Sequence, residues 1–222
     1  FRRMLHKTLP DYLQGGPSPD PLAGEAVLKG ASLPDESLSR WPQASFDSIS
    51  SEIQNLPLDH SVAPVDGVVG GRREALIRLK RFVDQRLSGY ERRNHPDEAV
   101  TSELAPYLHF GHISAHEVVQ AVLDSQEWNQ GRLSDKPNGR RTGWWGVDSA
   151  CEGFLDQIIT WRELGYGFAH HRRDHGEFSS LPAWALETLD VHRHAATPSL
   201  YTAEEFRLGK THDDLWNACQ NQ

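Results

Sequence analysis

Apolar and polar positions change their rhythm near residue 66 of this chain. Beyond that point apolar residues recur three and four apart. Ala75, Leu76, Leu79, Phe82, Val83 and Leu87 fall on one helical face, with basic residues opposite. Ser114 with Glu117 has the spacing of a capping box, and Ile113 with Val118 that of the staple around it. Ser149 with Glu152 repeats the box and opens the longest periodic stretch, CEGFLDQIITWRELGYGFAHH. Pro182 stands where a helix start tolerates proline, ahead of AWALETLDVH. Thr202 with Glu205, and Thr211 with Asp214, mark two more starts. No stretch alternates apolar and polar positions between hairpin turns, and there is no internal repeat. The pattern predicts an all-α body with helices near 72–88, 114–124, 150–170, 183–193 and 203–209.

Before residue 66 the pattern dissolves into Pro, Ser, Gly and Asp, as in PDYLQGGPSPDPLAG and ASLPDESLSRWPQAS. Residues 1–65 therefore read as a linker with one short helix at its start. Opening directly on FRRMLHKTL, with no cap signal ahead of it, implies further chain upstream. The polar stretch DSQEWNQGRLSDKPNGRRTGWWGVD, residues 124–148, reads as surface decoration or the rim of a site, with decoration favoured.

Composition narrows the class. Hydrophobic residues make up 37% and charged residues 24%, as in an ordinary globular protein. No apolar run approaches the roughly 20 residues that span a bilayer, so no membrane association is expected. The amino-terminal residues lack the apolar block of a signal peptide, and Cys151 and Cys219 stand far apart, which places the protein in the cell interior, the cytoplasm. A formal net charge of −8 argues against coating nucleic acid through bulk charge. Yet from Gly71 to Arg93 eight Lys or Arg stand against three acids. That excess is either a phosphate-facing stripe or a solvated helix face.

Three constellations could carry chemistry. His170, His171 and His175 in AHHRRDH have near-helical spacing, but Arg172 and Arg173 between them would repel a cation, and no metal is expected. Thr101 and Ser102, followed by a short helix from about Pro106 to Gly111, form a cluster of hydroxyl and amide donors. With the basic helix just before it, a phosphate or pyrophosphate is the natural guest, and plain capping is the alternative. Trp161, beside Arg162 and Glu163, and Trp216 either pack in a core or stack on a planar ring.

The strings themselves go further. TSELAPYLHFGHIS resembles the TSxLSPYLxFGxIS signature of the photolyase/cryptochrome flavoproteins, and GGRREALIRLKRFV, running on to Tyr90 and Arg93, resembles the helix before it. FLDQIITWREL is similar to the helix along the flavin and substrate cavity of that family. LPAWALETLDVH, YTAEEF and KTHDDLWNACQ look like the class II branch, in which a THDxLWNAxQ string is characteristic. The matches are colinear over most of residues 66–222.

The resemblance implies a helical FAD-binding domain, present in part at 66–222, behind a linker and the end of an α/β antenna domain at 1–65. It implies a piece of a longer protein, inactive alone, that as a monomer uses FAD and light to split pyrimidine dimers in DNA. Tyr90, Thr101, Ser102 and Leu104 would line the FAD phosphates, and Arg162 would flank the flavin or the lesion. Trp161 and Gln157 would meet the extruded base, and Trp216 would serve in the electron relay. Nothing here specifies an antenna chromophore. Two departures stand out. Ala105 replaces the serine usual before the proline, at a cost of about 1 kcal/mol of capping. Gln157 stands where the class II branch carries a glutamate, so it can hydrogen-bond a pyrimidine edge but cannot carry charge. A cryptochrome-like photoreceptor that binds FAD without repairing DNA is the alternative.

Overall fold

The computed structural model describes residues 1–13, 15–16, 23, 33–41, 45, 47–193 and 200–221. Much of the stretch that reads as a linker, between residues 14 and 46, lies outside the described residues. Within them every regular element is a helix and there is no strand, as the period of the apolar residues requires. The α-helices are α1 Arg2–Tyr12, α2 Asp35–Arg40, α3 Ile49–Gln54, α4 Arg72–Arg81, α5 Ala105–His109, α6 Ala115–Asp124, α7 Ser149–Leu155, α8 Arg162–His171, α9 Ala183–His192, α10 Ala203–Arg207 and α11 Asp214–Gln220. The chain forms two compact units, Phe1–Gly165 and Tyr166–Gln222.

The first unit is built on the stripe of α4. Ala75, Leu79, Phe82 and Leu87 are buried, but Leu76 is 41% exposed because it lies at the edge of that stripe. The helix does not stop at residue 88. It widens into a π turn, Phe82–Arg86, and tightens into a 3-10 turn, Leu87–Arg92. The core joins this segment to Leu104, Tyr107, Val118, Val122, Trp144, Cys151, Phe154 and Leu155. Ser114 caps α6 as its spacing predicts, with both bonds of the capping box formed, and Ile113 and Val118 are both buried beside it.

At α7 the capping box does not form. The cap is Asp148, whose carboxylate accepts the Cys151 amide at 2.8 Å, and this leaves Glu152 free for another task. Its buried carboxylate accepts the amides of Gly143 at 2.6 Å and Trp145 at 3.0 Å. The loop expected to be decoration is thereby drawn inward, with Trp144 and Trp145 only 2% and 6% exposed. Burial pushes the Cys151 thiol up to about 12, which removes thiolate chemistry near neutral pH.

Helix α1 is tied to this body. Arg2 grips the buried Asp156 with two hydrogen bonds, of 2.9 and 3.2 Å, while Leu9 and Leu13 pack on the core. His6 stacks on Trp144 with centroids 4.2 Å apart, and its Nδ1 is buried without a partner. Burial first, and Arg2 second, hold the imidazole below its ordinary pKa, against the pull of Asp156. A histidine kept neutral in the fold binds fewer protons than it does in the unfolded chain. Its contribution to stability is therefore present above the unfolded value of about 6.5 and is lost as pH falls below it through the lowered value of the folded state. Melting temperature, followed by tryptophan fluorescence, should drop between pH 7 and 5, and His6→Phe should flatten that drop. An identical pH profile in the variant would remove His6 from the account.

In the second unit Thr202 and Glu205 form the expected capping box at α10. At α11 the cap is Asp213 rather than Thr211, because Thr211 is engaged instead with Asn217 at 2.8 Å. Tyr201 stacks on His212 and hydrogen-bonds to it, and Phe206 meets both Tyr201 and Trp216 edge to face.

Candidate functional site

The 3-10 turn after α4 carries Tyr90, 8% exposed, with its ring edge-on to Phe82 and Phe154 at 5.9 and 5.2 Å. The segment around Val100 crosses this turn. Gly89 makes the crossing feasible, since a Cβ there would sit 2.9 Å from Val100 Cγ1. Arg86 donates to the Thr101 carbonyl at 3.1 Å and pairs with Glu103 at 2.7 Å, and Arg78 takes the same carboxylate at 2.9 Å. Glu103 adopts a left-handed φ of 57°, a conformation that costs a non-glycine residue about 1 kcal/mol and is held here by the two arginines. The Arg86 hydrogen bond also holds its carboxyl below the usual range, with Arg78 and Arg81 assisting. Leu104 then turns into the core at 1% exposure, Ser102 is half-buried with its Oγ accepting the Leu104 amide at 3.4 Å, and Thr101 is exposed.

Tyr90 and Leu104 thus share one buried cluster, and Thr101 and Ser102 lie on the segment laid over the same turn. Helix α5 is only five residues long, and its cap is Leu104, which has no side-chain acceptor; Ala105, expected at the cap, is instead the first helical residue.

The basic stripe is largely spent within the protein. Arg72 pairs with Glu117, Arg78 with Glu74 and Glu103, Lys80 with Asp84, and Arg92 with Glu98. Arg93 differs: its guanidinium lies 4.9 Å from the Tyr90 ring centre, and no carboxylate among the described residues pairs with it. Burial pushes the Tyr90 phenol up, while Arg93 and Arg141 pull it back.

Gln157 and Trp161 lie on a π turn, Asp156–Trp161, that separates α7 from α8. Gln157 is half-buried, Trp161 is 53% exposed, and Arg162 is half-buried at the start of α8. Trp216 belongs to the second unit and is 46% exposed. His175 is engaged with the Arg172 carbonyl at 2.9 Å, and among the described residues no group of His, Cys, Asp or Glu is arranged to hold a metal.

Sequence reasoning passed over Arg141, Gly153 and Asp156. The signal for Arg141 was the GRRTGWW string, in which two basic residues stand just ahead of two large aromatics.

No family model matches the chain. It is similar to the deoxyribodipyrimidine photo-lyase of Potorous tridactylus, 31% identical over 168 residues, which are 75% of this chain and 28% of that protein. The enzyme of the same name from Oryza sativa subsp. japonica is 32% identical over 176 residues, 78% of this chain and 30% of its own. That of Arabidopsis thaliana is 28% identical over 222 residues, 99% of this chain and 40% of its own. The chain belongs to the photolyase/cryptochrome family. It spans well under half the length of these relatives. The all-helical body and the ordered motifs from GGRREALIRLKRFV to KTHDDLWNACQ fit that membership. Among the described residues no helix is long and apolar enough to cross a membrane.

Proposed function

We propose that this chain is part of a class II-like DNA photolyase that repairs pyrimidine dimers with light and FAD, with residues 66–222 contributing to its helical cofactor-binding domain. The observation that carries the reading is the similarity to enzymes named deoxyribodipyrimidine photo-lyase across 69–99% of the chain.

The residues present suit the cofactor. Gly153, on the buried face of α7, is where an aromatic ring and a guanidinium converge: a Cβ there would lie in ordinary contact with Arg141 Nη2 at 3.6 Å and Tyr90 Cδ1 at 3.9 Å. An aromatic ring with the guanidinium groups of Arg141 and Arg93 beside it matches the chemistry of a phosphate-bearing dinucleotide. In this reading Tyr90, Thr101, Ser102 and Leu104 hold the phosphates, and Arg162 flanks the flavin. FAD, when bound and reduced, supplies the light-excited electron that splits the dimer.

The protein's own contribution is placement. Trp161 offers an exposed face on which an extruded base can stack, and Gln157 offers an amide to a pyrimidine edge. Trp216, partly exposed, is the proposed relay residue for electrons passing through the protein. DNA containing such dimers is the partner, contacted through local rather than net charge.

The test is light-dependent loss of cyclobutane dimers from irradiated DNA, using the full-length protein and its Trp161→Ala variant. Repair that requires light and falls in the variant supports the reading. A flavin-bearing full-length protein that leaves dimers intact under light would sink it.

A further inference from the structure

We propose that Arg141 is a second cationic arm of the phosphate site at Tyr90, acting with Arg93 to hold a diphosphate; this rests on the reading of that site as the cradle of a dinucleotide. The loop that bears Arg141 is fixed two residues later, where Glu152 binds the amides of Gly143 and Trp145. The backbone that bears the guanidinium is therefore placed by the fold.

Charge counting at this point leaves a surplus. Asp156, with its side chain 4% exposed, already receives two hydrogen bonds from Arg2, and Arg141 approaches the same carboxylate only to 3.9 Å. One carboxylate serves two guanidinium groups, so one positive charge is left without a counterion. The Arg141 side chain is 51% exposed and accessible to a ligand.

The surplus faces Tyr90. A single point, the place a Cβ would occupy on Gly153, lies 3.6 Å from Arg141 Nη2 and 3.9 Å from Tyr90 Cδ1. Arg93 lies over the same ring and has no carboxylate of its own among the described residues. The other arginines near this turn, Arg78 and Arg86, are committed to Glu103. Arg93 donates to the Tyr90 carbonyl at 3.5 Å but pairs with no carboxylate among the described residues, and Arg141 shares Asp156 with Arg2. Both suit adjacent phosphate groups, since each fork can donate two hydrogen bonds to phosphate oxygens. Tyr90, Phe82 and Phe154 form an apolar wall, which strengthens the attraction of both charges for an anion.

The experiment is titration of the isotope-labelled chain with sodium pyrophosphate and with ADP at fixed ionic strength, followed by nuclear magnetic resonance. The amides of Tyr90 and Gly153 and the side-chain Nε–H signals of Arg93 and Arg141 should shift together. Arg141→Gln should weaken pyrophosphate binding about tenfold, and Arg141→Lys should restore part of it. Circular dichroism checks that the variants fold. If pyrophosphate shifts Tyr90 with unchanged affinity in Arg141→Gln, the role of Arg141 is overturned while the phosphate reading stands. If neither probe shifts residues 90–104 in the unmodified chain, the phosphate reading fails and Arg141 falls with it.

Discussion

Replacing Glu152 with alanine is expected to destabilise the first unit by about 3 kcal/mol and to release the loop around residues 134–147. The carboxylate is 3% exposed and accepts two backbone amides, from Gly143 and Trp145. Gly143 is exposed and can turn to water once its acceptor is gone, whereas Trp145, 6% exposed, cannot. A buried amide left without an acceptor costs about 1–3 kcal/mol, and a bond to a charged acceptor is at the strong end of the range. The loss spreads further, because Trp144, between the two anchored positions, carries the stacked ring of His6 and packs edge to face on Trp145. Glu152→Gln keeps an acceptor oxygen and should lose about half as much. Urea unfolding followed by tryptophan fluorescence measures both variants. A wild-type midpoint for Glu152→Ala would mean that the loop is held by Trp144 and Trp145 alone.

This residue also marks the limit of what the sequence reveals. Helical period is a local property, so the stripes of α4, α6 and the segment from Ser149 to His171 were readable, as were the caps at Ser114 and Thr202. Whether a glutamate three residues after a serine closes a capping box or reaches elsewhere depends on what the fold brings opposite it. At Glu152 the amides of a loop won, and Asp148 took over the cap. The π turns at 82–86 and 156–161 are likewise invisible to a 3.6-residue pattern. They insert a residue and rotate all that follows, which is why Tyr90 and Trp161 cannot be placed by spacing from α4 or α7 alone. The basic stripe was legible as charge but not as commitment, since Glu103 and Glu117, which neutralise parts of it, are distant in sequence. For the candidate site the outcome is mixed. Tyr90 and Leu104 come together in one cluster and α7 brings Gly153 to Tyr90, but Arg141 arrives there only through the loop that Glu152 anchors.

The 222-residue chain expressed by itself is expected to emerge from gel filtration nearly free of flavin, with less than about one FAD per ten chains. High affinity for a ligand of this size requires a preformed site that buries about 70–90% of its surface. The phosphate side of the proposed site is ordered, with Tyr90 and Leu104 at 8% and 1% exposure. The residues proposed to face the flavin ring and the base are open to water: Trp161 is 53% exposed, and Gln157 and Arg162 are only half-buried. A cofactor gripped by its phosphates alone gives up the apolar burial that would offset its lost freedom, so it dissociates during chromatography. The relatives named photo-lyase are more than twice as long as this chain, and the missing enclosure can come from sequence that they have and this chain does not. Absorbance near the flavin bands, ratioed to protein across the eluted peak, decides the matter. A yellow, stoichiometric complex of this chain alone would show that Trp161 and Arg162 are covered in solution, and the division into a formed phosphate side and an open flavin side would have to be abandoned.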